Sequence, residues 1–571
     1  MSTSILSEPI EMTENIKEKI PRLLLVLLAF CMFSTGAAGL VEQYVLATMT
    51  TIILGNSIEQ FSLVIACMML MMGVSGLVQR VMSDRNLLQK FILVEIMIAL
   101  LGAFSPLMIY AAYGYLEHHF IFVHYGFLLS IGFLIGFEIP LVMRIVAQQK
   151  IGLKVNLTVV YAMDYIGAFF GAIVWVFYLL KNHPLTEISF IVAGFNFVVA
   201  AVAVLYFMYA KLILHPKFNL ALLSITLLAL IWGFNNNREM SVFLEQRFYA
   251  DPIVYQETTK YQHLVITHNK VTGDIRLYIN GNTQFSSLDE VRYHESLVFP
   301  LMAAVPRKGN VLVLGGGDGL ALRELNKYLS IQQITLVDLD PEMIRIASEN
   351  KYLTKLNQNA FKNAKVLTEL FNMKDTGDKK SIYLADPTLD DGDAWATSVD
   401  VVNIDADMFL RKAPKAPWDA VIIDLPDPSS IELSKLYSKQ FYMSLKRHLS
   451  PNAYIAIQST SPYHAKEAYL SIGATLQAAG FKVLPYRQNI PSFGDWGYYL
   501  AWSNSETPEA LKERLSTLTS FEVESSFLTP ELLASTFAFG KGELVLDDVC
   551  INTLMWPCLL DRYTEHSWLV E

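Results

Sequence analysis

Five aspartates in the second half of the chain each follow an apolar run or a glycine turn, and together they could line one anionic crevice. They are Asp318, Asp338, Asp405, Asp424 and Asp427. Carboxylates that share a site raise one another's pKa unless cations fill it. A carboxylate beside an alkylammonium can also accept the proton that the amine must lose before it attacks carbon. The aspartates therefore predict a site for positively charged ligands, with proton transfer as its chemistry.

The glycine-rich stretch before Asp338 predicts a nucleoside-binding βαβ unit. Apolar residues at 311–314 lead into Gly-Gly-Gly-Asp-Gly at 315–319, and a helical pattern and a second apolar run follow. Glycines let the backbone approach a ligand closely, and an acid at the end of the second strand, about 20 residues on, suits the hydroxyls of a ribose. Asp318 would repel a pyrophosphate inside this loop but attract a cation. The unit therefore predicts a positively charged nucleoside.

Further apolar runs predict the strands that would position the remaining polar groups. Asp405 follows one such run, Asp424 ends the next, and Gln458 ends a third. In a parallel sheet, ligands bind beyond the carboxyl ends of the strands. The pattern predicts a doubly wound, Rossmann-like α/β domain with the crevice along that edge.

A small antiparallel unit is predicted ahead of this sheet. Apolar and polar residues alternate at 263–267 and 275–279, and turn residues lie at 272–274 and 280–282. Alternation with such turns is typical of β-hairpins. A helix is predicted to follow through residues 289–295.

The first part of the chain predicts a multi-span helical membrane domain. Of the 571 residues, 53% are hydrophobic and 17% charged, and the apolar excess lies before about residue 235. A helical span needs about 20 apolar residues. Spans are predicted near residues 23–43, 61–79, 91–112, 121–143, 157–180, 188–210 and 218–234, with a possible half-span between Leu46 and Leu54.

Glu42, Glu138 and Asp164 lie within the predicted spans. Ionisable groups at such positions are costly and often functional. Two interpretations remain open: the acids hold the bundle together near a membrane face, or they line a cation pathway or sensing cavity.

Composition argues against several other classes of function. The net charge of −10 without a long basic run weighs against nucleic acid as a partner. Cys550 and Cys558 are too few and too far apart in sequence to predict a zinc site or a disulfide framework. An aspartate-rich stretch at 371–400 has no clear periodicity and is predicted to be a surface insertion.

Several motifs resemble the polyamine aminopropyltransferases, the spermidine synthase family, in its membrane-anchored bacterial branch. The resemblance covers about residues 250–505, and INTLMWP at 551–557 and the apolar first half fit the membrane branch. The motifs are YQ at 261–262, LDEVRYHE at 288–295, VLVLGGGDGLALRE at 311–324, DAVIIDLPDP at 419–428 and LYSKQFY at 436–442.

The resemblance implies a class I methyltransferase-like fold and a reaction. The aminopropyl group of decarboxylated S-adenosylmethionine, a co-substrate, would pass to putrescine without a cofactor or metal, giving spermidine and methylthioadenosine. Asp424 would be the proton acceptor. The remaining roles are nucleoside binding by Gln262, Asp338, Asp405 and Ala406, contact with the aminopropyl and diamine chains by His294, Asp318 and Asp427, and support by Gln284, Tyr293 and Gln458.

The resemblance also implies on which side of the membrane the catalytic domain lies. The nucleoside donor is made in the cytoplasm, so we expect the catalytic domain there. A re-entrant piece around 45–60 would reconcile seven spans with a cytoplasmic N-terminus. The lipid bilayer is an expected partner, and a homodimer is left open.

The predicted boundaries are a polar tail at 1–20, a transmembrane domain at 21–237, a β-hairpin subdomain with its lead-in helix at 238–308, an aminopropyltransferase domain at 309–505 and a helical tail at 506–571.

Departures from the family pattern leave alternatives open. Leu425-Pro426 and Ser430-Ile431 replace residues that the family often has around the motif acids, and Phe493 stands where a tyrosine is usual. The alternatives are a related transferase with another amine acceptor or a methyl donor, and a membrane polyamine transporter or sensor with a binding-only domain. Asp318 argues against a methyl donor, whose own carboxylate it would repel.

Overall fold

The chain divides into two compact units, Met1–Pro252 and Ile253–Glu571. A computed structural model describes residues 8–54, 57–116, 119–148, 153–213, 215–367, 381–383, 397–413 and 417–564. The aspartate-rich stretch predicted as an insertion lies almost wholly outside these residues.

The first unit is helical. Among the described residues, seven segments are long and apolar enough to cross a membrane, which matches the seven predicted spans. The helices are α1 (Glu8–Leu54), α2 (Ser57–Gln79), α3 (Leu87–Tyr115), α4 (Phe120–Gln148), α5 (Leu153–Val174), α6 (Leu180–Asn182), α7 (Leu185–Tyr209) and α8 (Pro216–Glu245).

Two details of this unit differ from expectation. Helix α1 continues unbroken to Leu54, so the apolar residues from Leu46 extend the first helix instead of forming a separate half-span. Helix α8 continues to Glu245, so it extends past residue 237, where the transmembrane domain was predicted to end.

The acids predicted within the spans face other helices. Glu42 and Glu138 are buried, and the hydroxyl of Ser105 donates to Glu42 Oε1 at 3.2 Å. Asp164 lies against Gly36 of α1. Sequence reasoning missed Glu95, which is fully buried and whose two carboxylate oxygens have no hydrogen-bond partner among the described residues.

The second unit begins with a four-stranded antiparallel sheet in the order β1-β2-β3-β4. Its strands are β1 (Ile253–Thr258), β2 (His263–His268), β3 (Ile275–Ile279) and β4 (Asn282–Ser286). Asn280 and Gly281 have φ of 51° and 82° between β3 and β4, the left-handed pair that a tight hairpin turn requires. Helix α9 (Glu290–Ala304) follows.

A nine-stranded sheet forms the centre of this unit, in the order β12-β13-β11-β10-β5-β6-β9-β7-β8. Strands β7, β9, β6, β5, β10 and β11 are parallel. The strands are β5 (Asn310–Gly315), β6 (Gln333–Asp338), β7 (Ala364–Leu367), β8 (Ser381–Tyr383), β9 (Ser398–Asn403), β10 (Trp418–Asp424), β11 (Leu449–Gln458), β12 (Lys482–Ile490) and β13 (Gly494–Trp502).

Apolar residues fill both faces of the sheet. Val311 and Val313 of β5 lie in one core cluster, and Leu312 and Leu314 lie in the other, which explains why the strand reads as a continuous apolar run. Helices connect the strands: α10 (Leu320–Asn326), α11 (Pro341–Glu349), α12 (Lys351–Leu356), α13 (Ala406–Lys412), α14 (Ile431–Ser434), α15 (Lys439–Lys446) and α16 (Lys466–Ala478).

This arrangement confirms the Rossmann-like fold and locates its binding edge. Strand β5 pairs with β6 on one side and with β10 on the other. The order in which successive strands are added to the sheet therefore reverses between β5 and β10. Ligands bind beyond the carboxyl ends of the strands at such a point.

The C-terminal segment carries three more helices and a disulfide. The helices are α17 (Pro508–Ser516), α18 (Pro530–Thr536) and α19 (Cys558–Thr564). Contrary to the prediction from spacing, Cys550 and Cys558 form a disulfide with their Cα atoms 6.3 Å apart. The intervening chain turns back on itself, so the sequence separation does not keep the two residues apart.

Candidate functional site

Asp338 is held against the glycine loop by backbone donors. Its Oδ2 accepts from the Gly317 amide at 3.1 Å, and its Oδ1 accepts from the Asp340 amide at 2.9 Å. A Cβ at position 317 would lie 2.5 Å from Asp338 Oδ2, so the contact requires glycine. Burial raises the pKa of Asp338 to about 6, although both amides favour its charged form.

A second acid links this loop to the segment after β1. Asp340 caps α11 by accepting from the Glu342 amide at 3.1 Å and also accepts from the Thr259 hydroxyl at 2.7 Å. Thr259 Oγ1 in turn accepts from the Gln262 amide at 3.0 Å. The structure thus places Gln262 near Asp340, just beyond the end of β6.

His294 belongs to a buried ionic network with Glu290 and Arg323. His294 Nδ1 is 2.9 Å from Glu290 Oε2, and Arg323 donates to both oxygens of Glu290 at 2.7 and 2.9 Å. Burial opposes the protonation of His294, but Glu290, Asp318 and Asp424 raise its pKa to about 9. The imidazole therefore carries a positive charge at neutral pH.

Asp318 shares the field of this imidazolium. Its Oδ1 accepts from the Leu320 amide at 2.9 Å at the start of α10. Burial raises the pKa of Asp318 to about 6, Asp424 adds to the rise, and His294 opposes it. Asp318 therefore shares its electrostatic environment with His294 and Asp424, and its contact with the aminopropyl chain stays a prediction.

Asp424, the last residue of β10, receives a tyrosine hydroxyl. Tyr293 Oη donates to Asp424 Oδ1 at 2.7 Å, and the Gly316 amide donates to the Asp424 carbonyl at 3.2 Å. Burial raises the pKa of Asp424, whereas His294 and the Tyr293 hydrogen bond oppose the rise. A buried carboxylate of this kind is suited to accept a proton.

Asp427 lies three residues beyond the end of β10, and each of its carboxylate oxygens accepts a hydrogen bond. Gln458 Nε2 donates to its Oδ1 at 3.2 Å, and Tyr563 Oη donates to its Oδ2 at 3.0 Å. Gln458 also donates to Tyr437 Oη at 2.7 Å. Burial raises the pKa of Asp427, and the Tyr563 and Gln458 hydrogen bonds oppose the rise.

Three predicted site residues are placed differently from the rest. Asp405 follows β9 in the turn instead of ending the strand; it caps α13 through the Met408 amide at 3.0 Å and forms an ion pair with Lys435 at 2.8 Å. Ala406 is the buried first residue of α13. The hydrogen bond described for the Gln284 side chain goes to a carbonyl within β4, Asn282 O, at 3.4 Å.

The predicted anionic crevice also contains positive charges. Lys435 forms an ion pair with Asp405, and His294 lowers the pKa of Asp318 and Asp424 against the effect of burial. Among the described residues, no group of three or more His, Cys, Asp or Glu side chains is arranged to hold a metal ion.

Sequence reasoning missed several residues of the site. Glu290 and Tyr437 lie inside the quoted motifs, which could have indicated them, and Asp340 precedes a proline at the start of a helix, as capping residues often do. Arg323 appears in the glycine-loop motif without an obvious partner. Tyr563 lies 136 residues beyond Asp427, and no local pattern points to it.

Comparison with known proteins places the chain among close relatives over nearly its whole length. A family model described as "Spermine/spermidine synthase domain" matches residues 290–376 and 389–513. The chain is 36% identical to "Polyamine aminopropyltransferase 1" of Streptomyces coelicolor, covering 95% of this chain and 94% of that protein. It is 34% identical to "Polyamine aminopropyltransferase 2" of Aquifex aeolicus, covering 94% and 98%.

A solved structure is also similar to about half of the chain. The crystal structure of spermidine synthase in complex with the transition state analogue AdoDATO shares 22% identity, with a TM-score of 0.40, and the match covers 51% of this chain and 88% of that one. The relatives of full length also span the residues of the helical unit.

Proposed function

Because the chain belongs to the polyamine aminopropyltransferase family, we propose that it transfers the aminopropyl group of decarboxylated S-adenosylmethionine to putrescine. The products are spermidine and methylthioadenosine. The observation that carries the proposal is the juxtaposition of Asp424 and Asp427, two partly buried carboxylates at and just beyond the end of β10, with the glycine loop and Asp338.

The nucleoside binds at the glycine loop in this proposal. Asp338 accepts hydrogen bonds from the ribose hydroxyls, since backbone amides already fix its orientation. Gln262 reaches the same end from the small antiparallel sheet, which we propose acts as a subdomain that closes over the donor. Asp405 and Ala406 lie on the adenine side, at the start of α13. Asp318 attracts the cationic aminopropyl chain.

The acceptor amine binds between Asp424 and Asp427. Asp424 takes one proton from the near ammonium, and the freed lone pair attacks the aminopropyl carbon next to sulfur. The carbon–sulfur bond breaks with its electron pair moving to sulfur, so methylthioadenosine leaves as a neutral thioether. Alignment of the two substrates and the fixed charges around them supply most of the acceleration.

His294 favours the charged form of Asp424. Its positive charge opposes the rise in the pKa of Asp424 that burial causes, so the carboxylate stays available as the proton acceptor. Tyr293 holds Asp424 in position at 2.7 Å. Gln284 has a supporting role within β4, and Gln458 supports Asp427 directly.

The test is a transfer assay on detergent-purified full-length protein. Decarboxylated S-adenosylmethionine is supplied with putrescine, cadaverine or spermidine, and methylthioadenosine and the polyamine product are measured. We expect turnover with putrescine and a loss of about 10³-fold in Asp424→Asn, with nucleoside binding retained. The matched control is Asp547→Asn, a change at an exposed acid. Full activity in Asp424→Asn would refute the mechanism.

A second candidate function, polyamine binding or transport by the helical unit, is supported by its buried acids. Glu95 is fully buried with both oxygens unpartnered among the described residues, and buried acids within apolar spans often mark cation pathways. Proteoliposomes containing the wild-type chain or Glu95→Gln test this function. Absence of spermidine flux in the wild type would refute transport.

We propose that the helical unit anchors the protein in the cell membrane and that the catalytic unit lies on the cytoplasmic side, where the nucleoside donor is made. Helix α1 is continuous to Leu54, so residues 45–54 do not form the re-entrant piece that was expected; with seven spans, the N-terminus then lies on the opposite side. Labelling of Val271→Cys, at a 95% exposed position, by an impermeant maleimide tests the side. We expect labelling only after lysis, and labelling in intact cells would refute the proposal.

A further inference from the structure

A residue from the C-terminal segment contacts Asp427 in the proposed acceptor site. Tyr563 of α19 donates its hydroxyl to Asp427 Oδ2 at 3.0 Å, while Gln458 donates to Oδ1 at 3.2 Å. Tyr563 lies outside the residues matched by the synthase family model, which end at 513. The site is therefore completed by a part of the chain that the family domain does not include.

Several contacts hold α19 in this place. Leu559 is fully buried in a core cluster of the sheet, and Arg562 pairs with Glu467 of α16 and with Asp548, each at 2.6 Å. The disulfide joins the first residue of α19, Cys558, to Cys550.

The segment before α19 is fixed as well. The amide of Cys550 donates to Ser471 Oγ at 3.2 Å and that of Asn552 to Thr475 Oγ1 at 3.0 Å, so both residues are bound to α16. The Asn552 side chain donates to Ser434 O of α14 at 2.7 Å. These contacts leave Tyr563 little freedom to move away from Asp427.

We propose that Tyr563 is a specificity-determining residue of the amine subsite, which fixes Asp427 and limits the length of the acceptor. The inference rests on the proposed function, in which the two nitrogens of a diamine address Asp424 and Asp427. An acceptor that extends beyond Asp427 meets the Tyr563 ring. The substrate class is therefore short linear diamines.

The hydroxyl of Tyr563 is compatible with a bound ammonium. A carboxylate offers about four lone-pair positions, so Asp427 can accept from Tyr563, Gln458 and a substrate at once. The phenol is neutral and adds no positive charge to compete with the diamine. Its removal would leave Asp427 with a looser orientation and one unsatisfied oxygen inside a largely buried site.

The test measures putrescine binding by calorimetry to full-length protein with methylthioadenosine present. Tyr563→Phe should weaken putrescine about tenfold, the size expected for one hydrogen bond to a charged group, with methylthioadenosine affinity unchanged. Tyr463→Phe, at a tyrosine that is 75% exposed, is the matched control. Equal putrescine affinity in Tyr563→Phe and the wild type would overturn the inference.

A length series tests the second part of the proposal. Tyr563→Ala should raise the affinity for spermidine relative to putrescine, because it removes the ring beyond Asp427. An unchanged ratio would overturn the role in length selection. The double variant Cys550→Ser/Cys558→Ser should weaken putrescine in the same direction as Tyr563→Phe, and wild-type affinity there would overturn the role of the disulfide in holding α19.

Binding and turnover separate the two proposals. A wild-type protein that binds putrescine but forms no methylthioadenosine would overturn the transfer reaction, while a weaker Tyr563→Phe variant would still support the inference. A protein that transfers to putrescine with the same affinity in Tyr563→Phe would overturn the inference alone.

Discussion

The two ends of the crevice hold their carboxylates in different ways. At the nucleoside end, Asp338 is fixed by backbone amides of Gly317 and Asp340. At the amine end, Asp424 and Asp427 are fixed by side chains, the hydroxyls of Tyr293 and Tyr563 and the amide of Gln458. The first arrangement depends on the path of the main chain, and the second on the identity of single residues.

The difference suggests a division between a constant and an adjustable end. A main-chain contact survives most substitutions nearby, so the nucleoside end can keep one donor. A side-chain contact changes with one mutation, so the amine end can be tuned to different acceptors. The predictions below test whether damage at one end leaves the other intact.

Loss of the acid at the nucleoside end should have the largest effect. In Asp338→Asn, the ribose hydroxyls lose a charged acceptor, and two such hydrogen bonds together correspond to about a hundredfold or more in affinity. Calorimetry with methylthioadenosine measures this loss. Putrescine affinity at the amine end should stay within about twofold; a comparable fall there would mean that the two ends are not separable.

Gly317→Ala should disturb the same end by displacing the Asp338 carboxylate. The new Cβ would lie 2.5 Å from Asp338 Oδ2, so the carboxylate must turn away from the loop. We expect methylthioadenosine to bind about 30-fold more weakly, less than in Asp338→Asn because the charge remains. The matched control is Gly309→Ala, where φ is outside the left-handed region, as it is at Gly317, and the nearest atom to the new Cβ would lie at an ordinary contact distance of 3.4 Å.

Tyr293→Phe should disturb the amine end alone. The variant removes the 2.7 Å hydrogen bond to Asp424, and a less well oriented proton acceptor should lower kcat about tenfold. Steady-state kinetics with each substrate varied in turn measure the change. The KM for the nucleoside donor should not move, and a rise in it would contradict the separation of the ends.

A change of pH should have the smallest effect, and it should act at the nucleoside end through Asp338. Burial places the pKa of Asp338 at about 6, so the acid is ionised at pH 7 and is lost as a charged acceptor as the pH falls. Methylthioadenosine affinity should fall about fourfold between pH 7 and pH 5.5. Asp338→Asn should abolish this dependence, and a profile that persists in that variant would assign it to another group.

The sequence was sufficient for the Rossmann-like fold and for placing Asp338 beside the glycine loop, because the partners there are near in sequence. Gly317 and Asp338 are 21 residues apart within one βαβ unit, and the apolar runs identify the parallel strands. The position of Asp405 was wrong in detail because the apolar run continues past the end of β9 at Asn403 to Ile404, and the acid caps the next helix.

At the amine end, the residue pattern predicted the acids and Gln458, the resemblance added His294 and Tyr293, and Tyr563 was not predicted. The donors that hold the acids come from 131 and 136 residues away, and no periodic pattern links Tyr293 to Asp424 or Tyr563 to Asp427. The disulfide was missed for a similar reason, since spacing alone does not say that the chain between Cys550 and Cys558 turns back.

The contact between Gly317 and Asp338 has a consequence for how such proteins can diverge. A side chain at 317 collides with the acid at 338, whereas a shorter residue at 338 is compatible with glycine at 317. Descendants that abandon this nucleoside can therefore lose the glycine at a lower cost once the acid has gone. A lineage that keeps Asp338 and gains a side chain at 317 must first turn the carboxylate away from the loop, so we expect the acid to be lost before the glycine.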